Sequence, residues 1–198
     1  MALGVRPAQV VRSASSGWYA PATAVATNAV DAAVLLFVLG TIAHFGEDDW
    51  QDYWKRLVDN EVRVAADWSD AYEAAYTVSG GDRPLVVSYG SSPPAEVFYS
   101  EGERTEPQSE VIEATCTEQV EYAGVLVGTQ RPEAARALVA FLLSDENQRS
   151  IPLANFVFPI RDVETPEVFE RFAVKAVDPL RLDPDEIAAN RDRWTEQW

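Results

Sequence analysis

Few residues in this sequence could make or break bonds, and each stands alone. Cys116 is the single cysteine and His44 the single histidine. A lone cysteine excludes an intrachain disulfide and a Cys-rich metal site. Ser-His-Asp, Cys-His and zinc arrangements would all depend on His44. Cys116 lies in the strand-like stretch Ala114-Thr-Cys-Thr117, with no basic neighbour in sequence to lower its pKa. Ser88, Ser91 and Ser92 lack the Gly-x-Ser-x-Gly elbow of a serine hydrolase. Hydrolytic and zinc chemistry are therefore not expected. Tyr89 ends an apolar strand immediately before Gly90-Ser-Ser-Pro-Pro94, a position where α/β folds place ligand groups. On spacing alone Trp68 fits a core residue beneath the helix that follows it. Phe156, among Phe158, Pro159 and Ile160, suits packing as well as contact. Asp67 and Asp70 offer negative potential to a cation or are solvated carboxylates, and Ser91 and Ser92 offer hydroxyl donors or a Ser-Pro turn.

The elements that must position these residues alternate between strand and helix. Ala32 to Ala43 is a continuous apolar run, too short to span a bilayer, and reads as a buried helix ended by Gly46. A second helix, capped by Asp48, covers 49–58, with Trp50, Tyr53, Trp54, Leu57 and Val58 on one face. Val62, Val64 and Ala66 alternate as a short strand. Ser69 offers a cap for a helix carrying Tyr72 and Tyr76 that stops at Gly80-Gly81. Leu85 to Tyr89, Val111 to Cys116 and Gln119 to Val127 read as strands, and Pro132 to Leu143 as a helix with Pro in its first turn. Two more helices are expected around 166–174 and 184–198. The alternation predicts an α/β class.

Charge narrows the partners. The 198 residues hold 32 Asp plus Glu against 16 Lys plus Arg, a formal net charge of −16. Phosphate binding by counterion release needs cations, so nucleic acid is disfavoured. Lys55 and Lys175 are the only lysines. An acidic surplus with so few lysines fits adaptation to high salt, where screening removes self-repulsion; codon drift in a GC-rich genome is the other source. Residues 1–28 differ from the rest, with Arg6 and Arg12 and no acidic residue, and read as an extension.

The order of motifs is more specific than any one of them. Asp67-Trp-Ser-Asp-Ala-Tyr72, Pro84-Leu-Val-Val-Ser-Tyr89 followed by Ser-Pro, Gln119-Val-Glu121, the Pro132-Glu-Ala-Ala helix ending Phe141-Leu-Leu-Ser144, and Ile151-Pro-Leu-Ala-Asn-Phe-Val-Phe-Pro159 resemble the C-terminal half of thiamine-binding proteins of ABC transporters. The resemblance covers residues 41–198; residues 1–40 do not match and are expected to be an extension. It implies a type II periplasmic-binding-protein-like α/β fold of two lobes, of which this chain holds mainly the second and its returning segments. A chain half the expected length, without most of the first lobe, suggests a truncated or frame-shifted product. The resemblance also implies a monomer working in the periplasm or at the cell surface, with ABC permease subunits as partners, thiamine or a thiamine phosphate as ligand, and no cofactor or metal.

Thiamine carries a permanent thiazolium cation and a flat aminopyrimidine, so a binder needs aromatic faces and nearby anionic or carbonyl groups. Carried over residue by residue, the resemblance implies ligand contacts from Trp68, Tyr89 and Phe156, with Ser92, Tyr72 and Asn155 beside them. Phe156 stands where the family has tryptophan. Ala95 stands where it has tyrosine, a gap that Phe98 or Tyr99 could fill. Another small solute, such as a polyamine or a metal–anion complex, is the alternative ligand. A thiamine-degrading enzyme shares the fold, with Cys116 as its only possible nucleophile.

Overall fold

The structure, a computed structural model, describes residues 2–13, 24–27 and 32–198. In chain order the elements are β1 (Ala2–Ser13), β2 (Ala24–Thr27), α1 (Ala32–Phe45), α2 (Trp50–Asp59), β3 (Arg63–Ala65), a π-helical segment Asp70–Ala75 and a short 3-10 turn Thr77–Ser79. β4 (Leu85–Tyr89), α3 (Ser92–Phe98), β5 (Ser109–Val111), β6 (Thr117–Tyr122), α4 (Pro132–Leu142), α5 (Asp145–Ala154), α6 (Glu167–Phe172) and α7 (Pro184–Gln197) follow. One mixed sheet runs β3-β2-β4-β1-β5, with β6 also paired to β1. β2 is parallel to β3 and β4, whereas β1 is antiparallel to β4, β5 and β6.

The segment expected to be an extension therefore supplies two strands of the sheet, and position 40 falls inside α1 instead of between domains. The remainder of that segment, residues 1, 14–23 and 28–31, lies outside the described residues.

Side chains alternate faces along β4, and this alternation splits the packing in two. Val87 joins a cluster with Val34, Phe37, Val38, Leu39 and Ile42 of α1, Trp50 and Trp54 of α2, and Trp194 of α7. Val86 joins Ala65, Ala71, Tyr72, Ala75 and Tyr76 on the other face. In the first cluster the Trp54 indole N–H donates to Thr41 Oγ1 at 3.1 Å, and the Trp194 indole donates to Glu47 Oε2 at 2.8 Å. Arg193 pairs with the same carboxylate, tying α7 to the turn between α1 and α2. No helix among the described residues is long and apolar enough to cross a membrane.

Several local expectations shift. Gly46, at φ 82°, ends α1 as predicted. Asp48 lies one residue before the N-cap position, Asp49, where no side-chain cap bond forms. Val58 is 67% exposed while Trp50 and Trp54 are buried, so the α2 stripe is narrower than its spacing suggests. On β3 it is Ala65 that is buried, with Val64 and Ala66 turned outward. That inverts the expected alternation, because Ala65 packs with Ala71 and Tyr76. The strand expected over 111–116 is β5 ending at Val111, then a 3-10 turn Glu113–Thr115. The one expected over 119–127 is β6, ending at Tyr122. α4 carries the expected apolar spacing, yet none of its residues is buried among the described residues.

Candidate functional site

The cleft is built from the turn after β3 upward. Asp67, not Ser69, caps the chain here, its Oδ1 accepting from Asp70 N at 2.8 Å. One ordinary helical turn then widens, as Tyr76 N reaches back five residues to Ala71 O at 3.1 Å. Trp68 and Tyr72, four residues apart and so on one face of the turn, stack with ring centroids 4.8 Å apart and planes at 12°. Gly81 makes the widened turn possible: a Cβ there would lie 2.1 Å from the Ala75 carbonyl oxygen.

Hydroxyls from β4 and α3 fix the slab. The Trp68 indole N–H donates to Ser88 Oγ at 3.0 Å, Ser88 Oγ lies 2.7 Å from Ser92 Oγ, and Ser92 Oγ accepts from Tyr89 N at 3.4 Å. Ser88, Ser91 and Ser92 are buried. Tyr72 donates its hydroxyl to Glu96 Oε1 at 2.6 Å, and Gln108 N donates to Glu96 Oε2 at 2.8 Å. Burial, and secondarily the Glu96 charge, push the Tyr72 phenol well above its ordinary pKa, so it remains a donor.

Tyr72 covers one face of the Trp68 indole, and both rings line a cleft of about 860 Å³. Trp68, Tyr72, Tyr89, Ser92, Asn155 and Phe156, the six residues expected at the ligand, all line it. Tyr89 is tilted 36° to Trp68 at 6.5 Å. Opposite, Phe156 has φ 51°, a left-handed backbone uncommon for a bulky residue, and meets Tyr99 at 5.5 Å and Phe98 at 6.0 Å. Ala95 lines the cleft and so does Tyr99, which supplies the aromatic surface absent at position 95.

Asp67 and Asp70 do not reach the cleft. Asp67 is the cap described above; Asp70 pairs with Arg63 at 2.7 Å and accepts from Ala66 N at 3.2 Å. The acidic groups that line it are Glu73, Glu96 and Glu103, against one arginine, Arg104. No motif singles these out. For Glu96 a signal does exist, because Ser92, Glu96 and Tyr99 follow one another at four and three residues, one face of a helix.

Cys116 is fully buried, and burial, with the nearby Glu113 charge, pushes its thiol up to about 12, so this thiol is protonated and inaccessible. His44 is exposed and borders a separate, smaller pocket of about 190 Å³ against Phe37, Phe45 and Tyr53.

No family model matches the chain. It is 31% identical over 155 residues to the thiamine-binding periplasmic protein of Salmonella typhimurium, covering 76% of this chain and 44% of that protein. The thiamine-binding periplasmic protein of Escherichia coli is 30% identical over the same shares. The chain thus spans less than half the length of these curated relatives. Among solved structures, a periplasmic thiamin binding protein superposes with a TM-score of 0.83 at 22% identity, covering 100% of this chain and 64% of that one. A Bordetella ferric binding protein superposes with a TM-score of 0.68 at 19% identity, covering 98% and 67%. The α/β fold is that of the type II periplasmic binding proteins, and the sequence resembles their thiamine-binding members.

Proposed function

We propose that this chain belongs to the solute-binding component of an ABC importer, taking up thiamine or a thiamine phosphate outside the cytoplasm and passing it to permease subunits. The observation that carries this is the Trp68 face, backed by Tyr72, flanked by Tyr89 and set in a cleft whose carboxylates outnumber its cations. A thiazolium lying on such a face gains on the order of 0.5–2 kcal/mol from the ring quadrupole alone. The similarity to proteins named for thiamine binding favours that cation over a polyamine. On this reading the protein is a monomeric carrier, and the burial of its single thiol argues against a cysteine nucleophile.

Titration with thiamine, and separately with spermidine, followed by tryptophan fluorescence tests the ligand. Trp68 is one of six tryptophans, so the signal is the part lost in Trp68→Ala. Thiamine is expected to quench that part and to be recovered intact after incubation. A response to spermidine alone would replace the ligand, and cleavage of thiamine would replace the carrier by an enzyme.

A further inference from the structure

Three carboxylates line the cleft, and only one of them is built into its wall. Glu73 and Glu103 are exposed, free to swing into solvent, whereas Glu96 is half-buried. Both Glu96 oxygens are held, one by the Tyr72 hydroxyl at 2.6 Å and the other by Gln108 N at 2.8 Å. Each carboxylate oxygen can accept more than one hydrogen bond, so both keep capacity toward the cleft. The tether matters because Tyr72 is also the ring stacked on Trp68. A single side chain thereby fixes the distance between a negative charge and the aromatic face.

From this geometry we infer that Glu96 is a specificity-determining residue, the fixed anion that selects ligands carrying a permanent positive charge on the ring that stacks over Trp68. The inference rests on the thiamine reading and deepens it by assigning charge selection to one residue. Preorganisation is the physical reason to prefer Glu96 over its neighbours: a carboxylate already held by two donors loses little side-chain freedom when a cation arrives. Glu73 and Glu103 must give up that freedom, and their attraction is screened by water.

The test compares thiamine with 3-deazathiamine, its neutral thiophene isostere, by calorimetric titration of the wild-type chain, Glu96→Gln and Glu73→Gln. Glu96→Gln keeps an acceptor oxygen for Tyr72 and removes the charge. It is expected to weaken thiamine about tenfold, the size of a partly solvated charge pair, with the neutral isostere unchanged within about twofold. Glu73→Gln is expected to weaken thiamine by clearly less than Glu96→Gln does, as for a solvated pair. Thermal melts establish that each variant folds, and should Glu96→Gln fail to fold, Glu96→Asp replaces it, with selectivity expected to fall as the shorter carboxylate withdraws. Equal losses for both compounds, or no loss for either, while the wild type binds thiamine, would overturn the role of Glu96 alone. Failure of the wild type to bind either compound would overturn the thiamine reading, and this role with it.

Discussion

Trp54 and Trp68 invite comparison because each donates its indole N–H to a hydroxyl at nearly the same distance, Thr41 at 3.1 Å and Ser88 at 3.0 Å. Their surroundings differ. Around Trp54 the rings of Phe37, Tyr53 and Trp198 stand edge-on at 77°, 80° and 84°, and the residue is 8% exposed. Around Trp68 one ring lies parallel, another is tilted, and the half-buried indole lines the cleft. A satisfied N–H therefore does not distinguish a core tryptophan from a binding one. A place in the cleft lining does, together with the half-burial of Trp68 against the burial of Trp54.

The largest effect expected from this contrast is on stability. Trp54→Ala should cost about 3–5 kcal/mol of folding, as for other core aromatic truncations, while the folded fraction keeps its affinity for thiamine; a denaturant melt and a titration on the same sample read both. Trp68→Ala should reverse the pattern, weakening thiamine by roughly 0.5–2 kcal/mol of lost cation–π attraction plus its stacking, with a stability loss well below that of Trp54→Ala. If the two variants fall on the same line of stability against affinity, the contrast fails. Ser88→Ala should be smaller again. It strips the acceptor from a half-buried N–H, at about 1 kcal/mol, and should loosen the indole enough to shorten its fluorescence anisotropy decay.

Smallest is the effect at the far end of the first cluster, where Glu47 holds α7. The hydrogen bond from Arg193 pulls the Glu47 carboxyl below its ordinary value of 4.5, partly offset by burial. A carboxyl lowered in the folded state contributes stability above its unfolded pKa, and that contribution is lost as pH falls through the folded pKa. The melting midpoint of Glu47→Gln should thus lie slightly below wild type near neutral pH and converge with it on acidification below about 4.5. A gap unchanged across that window would mean that the charge is immaterial. The overall surplus of acid, −16, adds a global expectation: melts should rise between roughly 0.1 M and 1 M KCl as the Debye length shrinks.

Much of the cleft was legible because its residues come in short ordered motifs. Those motifs carry the family resemblance that implies Trp68, Tyr72 and Phe156; on spacing alone only Tyr89, where a strand meets glycine, points to a site, while Trp68 fits the core. Glu96 was less legible because, in a chain this acidic, its helical spacing from Ser92 and Tyr99 is a weak signal until its partner, Tyr72, is known. The register of β3 could not be read from three residues, since Val62-Val64-Ala66 and Ala65 are both acceptable alternations and the choice is made by Ala71 and Tyr76 across the fold. β1 was hidden for the opposite reason. Its composition is weakly patterned, and the strands that accept it lie far along the chain.

That last arrangement bears on how the molecule comes into being. Ala8 stands opposite Tyr89 on one side and Thr117 on the other, so β1 gains these hydrogen-bonding neighbours only after β4 and then β6 have been made. Closing such distant ends costs chain entropy before any contact repays it, and folds dominated by these pairings assemble slowly. During synthesis α1 and α2, joined by a tight turn at Gly46, can associate early, whereas the wall that carries Tyr89 is flanked on both sides only when β1 docks. The cleft is therefore among the last parts of this chain to mature, and a newly made chain should acquire its helices before it can hold a ligand.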